Sequence, residues 1–242
     1  MKDKTVLITG ATSGIGEALF YHYAGLGYQV IACGRNREKL DKLASFKKNA
    51  RCLAFDITKG EQVKQAAAQI SKIDLLILNA GDCQYIDDVM KFDSDRFAQV
   101  INTNLISMGI MLEHFLSKIP KGGRIAFVSS SASILPFTRS EAYGASKAGV
   151  DYLANSLRLD LVKQQINVSL IHPGFIKTPL TDKNDFDMPF LLSAEEAAKR
   201  IYKGIAAEKD YIHFPKRLTM LLKTFAILPN FIWRSIALRS MQ

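Results

Sequence analysis

Short runs of apolar, largely β-branched residues alternate along this chain with longer stretches in which apolar positions recur every three or four residues. The short runs read as strands buried on both faces and the longer ones as helices covering them. Their alternation predicts an α/β domain wound around a parallel sheet. Seven strands are predicted, near Thr5–Thr9, Val30–Gly34, Arg51–Asp56, Leu75–Asn79, Arg124–Ser129, Asn167–His172 and Tyr211–Phe214. Helices are predicted over Gly14–Leu26, Arg37–Lys47, Lys59–Ser71, Ser94–Lys118, Glu141–Gln164 and Ala194–Ala207. Two helix starts carry capping-box spacing, Thr58 with Glu61 and Ser193 with Glu196. The expected fold is a doubly wound Rossmann sheet, seven-stranded and mostly parallel, with helices on both faces. The stretch from Pro179 to Leu192 has no clear period, and long loops of this kind in compact domains commonly carry function. Residues 1–215 are therefore read as one domain with a substrate loop at 179–193, and residues 216–242 as a helical tail that is not an independent domain.

Composition narrows the class without changing the fold. With 242 residues, 48% hydrophobic and 23% charged, the chain resembles ordinary globular proteins and not disordered, collagen-like or coiled-coil sequences. Cys33, Cys52 and Cys83 lack C-x-x-C spacing and no histidines cluster, so neither a metal site nor a disulfide framework is expected. Lys2 and Lys4 precede an apolar run, but that run is too short for a signal peptide and ends in Gly10. No stretch reaches the ~18 apolar residues of a spanning helix, so a cytoplasmic location is expected. The net charge of +9 fits nucleic acid, an anionic membrane or simple solubility. Its distribution says more, because no acidic residue follows Asp210 while Lys216, Arg217, Lys223, Arg234 and Arg239 remain.

The first strand runs straight into Thr9-Gly10-Ala11-Thr12-Ser13-Gly14-Ile15-Gly16, followed by a helical pattern with Ile15, Leu19, Tyr23 and Leu26 on one side. Glycines there allow tight turns and close approach of a pyrophosphate, and the helix N-terminus offers unpaired amides to it. The second strand ends Gly34-Arg35-Asn36, where an NAD site usually places a carboxylate for the ribose hydroxyl. Arg35 stands there instead, a residue suited to a 2′-phosphate, so NADP(H) is favoured over NAD(H).

Tyr143 and Lys147 are four residues apart in a predicted helix and share a face. A tyrosine near pKa ~10 is a poor acid–base catalyst at neutral pH, and a neighbouring ammonium would lower that value. Together, Gly10-x-x-x-Gly14-Ile15-Gly16, Asn79-Ala80-Gly81, Ser130 thirteen positions before Tyr143, Tyr143-x-x-x-Lys147 and Pro173-Gly174 resemble, in order and spacing, the short-chain dehydrogenase/reductase family. The resemblance runs from Thr5 to about Phe214 and is closest to the compact members of this length.

The resemblance implies that Ser130 polarises a substrate carbonyl, that Tyr143 moves the proton, and that Lys147 tunes Tyr143 and holds the nicotinamide ribose. Spacing selects Ser130 from the crowd of Ser129, Ser131 and Ser133. Asn104 matches the family asparagine that supports a water beside Lys147. For the cofactor the resemblance implies Gly10, Thr12, Ser13, Gly14, Ile15 and Gly16 at the pyrophosphate. It implies Arg35 and Asn36 at the adenosine ribose and Asp56 and Ile57 at the adenine. Asn79, Ala80 and Gly81 would lie beside the cofactor, with Pro173, Gly174, Ile176 and Thr178 at the nicotinamide half. The four histidines, His22, His114, His172 and His213, are read as structural or surface residues.

Phe186, Met188, Phe190 and Leu191, with Leu135 and Phe137, imply an apolar pocket for a ketone or aldehyde on a hydrophobic body. The expected activity is NADP(H)-dependent interconversion of a carbonyl and an alcohol. The alternative is an NADP(H)-sensing or scaffold protein without turnover. No nucleic-acid partner is expected, and the resemblance implies a homodimer or homotetramer through the two long helices. The basic, apolar tail has three open readings: a cover for the pocket, a contact with a partner subunit, or a peripheral contact with an anionic membrane.

Overall fold

The computed structural model describes residues 4–239, and of Arg239 its backbone alone. The charged start at Met1–Asp3, the tail end at Ser240–Gln242 and the side chain of Arg239 lie outside the described residues. All seven predicted strands form: β1 (Thr5–Thr9), β2 (Gln29–Gly34), β3 (Ala50–Ala54), β4 (Leu75–Leu78), β5 (Arg124–Val128), β6 (Asn167–Pro173) and, from the far end of the chain, β9 (Tyr211–Phe214). They lie in the order β3-β2-β1-β4-β5-β6-β9, and every pairing is parallel. Successive residues of β1 point to opposite faces, Leu7 into one core and Val6 and Ile8 into the other. Helices α1 (Gly14–Gly25), α2 (Arg37–Ala44) and α7 (Ala194–Ala206) contribute to the second core. Helices α3 (Gly60–Ala68), α5 (Ser107–Phe115) and α6 (Glu141–Asp160) contribute to the first.

Three local expectations are corrected. The long helix expected over Ser94–Lys118 is interrupted: α4 (Ser94–Ile101) passes through one π-helical turn at Asn102–Ile106 before α5 begins. Such widened turns gather at functional sites, and here the turn carries Asn104, which is fully buried. The Thr58–Glu61 capping box does not form, because Thr58 turns both its amide and its hydroxyl to Asp56 Oδ1, leaving α3 without a side-chain cap. The box at Ser193 does place its hydroxyl on Glu196 N at 3.1 Å. Finally, the loop after Pro179 is pinned at its base by two short strands that periodicity did not reveal, β7 (Ile176–Lys177) paired with β8 (Leu192–Ser193). The tail folds as two helices, α8 (Lys216–Ile227) and α9 (Asn230–Arg239), on either side of Pro229. Among the described residues no helix is long and apolar enough to cross a membrane.

The strand order reverses between β1 and β4, so the connections leaving their C-terminal ends diverge and open a crevice. Thr9 ties the two ends together: its hydroxyl oxygen accepts from Asn79 N at 2.9 Å and Ala80 N at 3.1 Å, and Asn79 Nδ2 donates back to Thr9 O at 3.0 Å. Thr9→Val preserves shape but leaves both amides without that acceptor. Each unmet buried group costs about 1–3 kcal/mol, so a loss of about 2 kcal/mol is expected in urea unfolding, seen as a lower midpoint with an unchanged slope.

Candidate active site

The crevice is floored by the glycine turn. Gly10 adopts φ +66°, and a Cβ there would lie 2.8 Å from Ala80 Cα. At Gly16 a Cβ would stand 2.2 Å from the Gly10 carbonyl oxygen, so α1 packs directly on the turn. Gly16 thus shapes the cradle from behind and does not line the cleft, whereas Gly10, Thr12, Ser13, Gly14 and Ile15 do. Ser13 occupies the N-cap of α1 in extended conformation but makes no side-chain cap bond. The first-turn amides of α1 are therefore not answered by a cap, the arrangement that suits an anion at a helix N-terminus.

At the ends of β2 and β3, Arg35 and Asp56 line the same cleft. Arg35 is 81% exposed and stands 4.0 Å from Asp56, a weak, solvent-screened pair. Asp56 keeps its Oδ1 on Thr58, and these hydrogen bonds with the Arg35 charge hold its carboxyl below the usual value despite partial burial. Ile57, Asn79, Ala80, Gly81, Pro173, Gly174, Ile176 and Thr178 also line the cleft. Asn36 does not: its side chain accepts from Lys39 N at 2.9 Å and caps α2.

Opposite this floor, α6 presents Tyr143 and Lys147. The Ser130 hydroxyl, at the end of β5, lies close enough to the Tyr143 phenol to favour its ionised form and accepts from Ala132 N at 3.1 Å. Lys147, only 4% exposed, sets its ammonium 5.7 Å from the Tyr143 ring centre and donates to Val128 O at 3.0 Å. Loss of hydration brings its pKa down to about 8, partly offset by Asp151 one turn along α6. The same burial raises the Tyr143 phenol above its ordinary value, with Ser130 pulling it back. The Tyr143 pKa, expected to be lowered by Lys147, lies above its ordinary value, and desolvation is the largest influence on both groups.

Asn104 sits behind the pair and is a clamp. Its Oδ1 accepts from Asp82 N at 2.7 Å, while Nδ2 donates to Asp82 O at 2.8 Å and to Ser146 Oγ at 2.9 Å. Ser146 in turn donates to Tyr143 O at 2.7 Å. The π-turn, the loop after β4 and α6 are thereby fastened at one side chain. Sequence reasoning missed Thr9, Asp82 and Ser146 as supports. Ser146 lies inside the Tyr143–Lys147 motif, and Thr9 adjoins Gly10, so position was the available signal.

Apolar side chains gather on the substrate loop and the segments that meet it. Phe186 packs edge-on against Tyr85 and Phe175, with ring centres 6.0 and 6.1 Å apart. Arg139, missed in the sequence, fastens the substrate loop: it donates to Asp185 Oδ1 at 2.8 Å and pairs with Asp87 at 2.6 Å while lying over the Tyr85 ring. Tyr85 itself donates to Asn184 in the loop at 2.7 Å. The tail packs beside the cleft: a Cβ on the cleft-lining Gly174 would lie 2.8 Å from Leu218 Cδ2, Leu218 and Leu222 pack on Leu135, and Trp233 Nε1 donates to Pro136 O at 2.8 Å with its ring edge-on to Phe137. His172 lies apart, buried between Asp151 at 2.9 Å and the Tyr211 hydroxyl at 2.9 Å.

Comparison with known proteins agrees with this fold. The family described as short chain dehydrogenase matches residues 4–188. A protein of Myxococcus xanthus described as an uncharacterized oxidoreductase is 31% identical over 99% of this chain and 98% of its own length. A solved short chain dehydrogenase from Burkholderia cenocepacia in complex with NADP superimposes with TM-score 0.87 at 22% identity, covering 98% of this chain and 99% of that one. A short chain dehydrogenase/reductase from Burkholderia phymatum in complex with NAD gives TM-score 0.82 at 22% identity, covering 91% and 92%.

Asn104→Ala would leave the Asp82 backbone groups and Ser146 without their partner. At about 1–3 kcal/mol per unmet buried group, a destabilisation of about 3 kcal/mol is expected by denaturant unfolding, together with faster amide exchange in the loop after β4.

Proposed function

The chain belongs to the short-chain dehydrogenase family, and from that premise we propose that it is an NADP(H)-dependent oxidoreductase interconverting a carbonyl and an alcohol. One observation carries this reading: the Ser130 hydroxyl, the Tyr143 phenol and the buried Lys147 ammonium converge on the cleft that the glycine turn floors. A bound nicotinamide dinucleotide supplies or accepts the hydride at the substrate carbon. The first-turn amides of α1 would hold its pyrophosphate, and Asp56 and Ile57 would take its adenine. The segment Asn79–Gly81 and residues Gly174, Ile176 and Thr178 would receive its nicotinamide half. Arg35 would meet the 2′-phosphate. Both NADP and NAD are found in proteins of this shape, so the preference for NADP(H) rests on Arg35 and on the lack of a carboxylate at the end of β2.

In the reducing direction Ser130 donates a hydrogen bond to the substrate oxygen and Tyr143 passes its proton to that oxygen as negative charge builds there. Burial keeps the phenol protonated until then. The phenolate that forms is stabilised by the ammonium of Lys147, which acts strongly because the site is poorly hydrated. In the oxidising direction the same groups take the proton up. Phe186, Phe175, Leu135 and Phe137 favour a substrate with an apolar body. The assembled hydroxyl, phenol and ammonium leave a sensing or scaffold role without a supporting observation. We extend the reading to a homodimer or homotetramer around α5 and α6, where Ile106, Tyr152, Leu159 and Val162 are exposed.

A panel of ketones and aldehydes screened for NADPH oxidation should identify a substrate, and Tyr143→Phe should lower its turnover by about 10²–10⁴-fold. Because the Lys147 ammonium is lost as pH rises through about 8, wild-type reduction should fall along an alkaline limb there. Undiminished turnover in Tyr143→Phe would remove the assigned acid. Separately, Arg35→Ser should weaken NADPH binding about 10- to 100-fold, the loss of one charge-assisted bond, and leave NADH binding unchanged in titration calorimetry.

A further inference from the structure

The tail has two faces, and one is buried against the domain. Leu218 and Leu222 are buried against Leu135, and Trp233 is hydrogen-bonded to Pro136, so α8 and α9 are held in a fixed orientation. Their other face is apolar and open: Ile227 is 86% exposed, Phe231 70%, Met220 53% and Leu238 52%. Seven of the exposed large apolar side chains among the described residues fall between Met220 and Leu238. Arg217 lies one turn from Leu221, and Arg234 lies one turn from both Phe231 and Leu238, so exposed cations flank the apolar side chains. No acidic residue follows Asp210 in the sequence.

We propose that the outward face of α8 and α9 docks on an anionic lipid surface, which sets the substrate cleft beside the bilayer. The chemistry matches on both counts: apolar and aromatic side chains enter the headgroup boundary while arginines meet lipid phosphates. The helices lie on the membrane and do not cross it, since neither is long and apolar enough to span. A second copy is the poorer occupant. A two-fold contact would press this face on itself and bring the same cations together, with no carboxylate in the segment to answer them. The contact of Trp233 with Pro136 and Phe137 ties the docked helices to the segment that follows Ser130, which lines the cleft.

The test is flotation of the full chain with vesicles of phosphatidylglycerol and phosphatidylcholine in equal parts, compared with phosphatidylcholine alone. Binding to the anionic vesicles should exceed binding to the neutral ones by about 10-fold and weaken with added salt. The double variants Arg217→Glu with Arg234→Glu, and Ile227→Ser with Phe231→Ser, should each lose about 10-fold while retaining wild-type circular dichroism and NADPH affinity. Three results would overturn the proposal: wild-type protein that stays unbound on anionic vesicles, folded variants that float as the wild type does, or a vesicle-free dimer that Phe231→Ser dissociates. Vesicle binding is read without turnover, so its outcome is separate from that of the carbonyl screen.

Discussion

Where β1 and β4 lie side by side, the chain leaves one toward α1 and the other toward the opposite face of the sheet, so beyond Ile8 and Ile77 the two strands no longer pair with each other. Unpaired amides in a buried crevice are costly. The Thr9 hydroxyl answers the amides of Asn79 and Ala80, the Asn79 carboxamide donates to the Thr9 carbonyl, and this knot ties the two strand ends together. The glycine turn rests on it: Asn79 Nδ2 reaches the Gly10 carbonyl at 3.4 Å, and the space beside Gly10 is closed by Ala80. Cofactor floor and central sheet are therefore one construction.

The second wall is assembled from elements far apart in sequence. Helix α6 brings Tyr143 and Lys147, β5 brings Ser130, and the π-turn brings Asn104, whose three bonds fasten α6 to the loop after β4. Packing these groups together strips water from both the phenol and the ammonium, with opposite consequences for their charge. The phenol is pushed toward its protonated form and the lysine toward its neutral one. A proton is thereby kept on the tyrosine, next to a cation whose charge is sensitive to pH near neutrality.

The substrate side is built more loosely, from loops and the tail. Arg139 reaches two acidic residues in two different loops and covers Tyr85, so one guanidinium joins the segment after β5 to the substrate loop. The bond is exposed to solvent and individually weak. The tail packs on the segment after β5 through Trp233 and leaves its outer face uncovered.

Periodicity alone determined the seven strands, the covering helices and their order, because each buried strand and each amphipathic helix writes its environment into consecutive residues. The glycine turn and the Tyr143–Lys147 pair were legible for the same reason: each function sits within one turn of chain. Only the tertiary structure decided that Asn104 clamps three elements, that Asn36 and Gly16 serve packing and capping, and that Thr58 turns to Asp56 and not to the start of α3. The same holds for Arg139 gripping the substrate loop and for burial raising the Tyr143 phenol. Hydrogen bonds between residues dozens of positions apart, and the loss of water around a group, depend on which surfaces meet after folding; a local pattern in the chain carries neither.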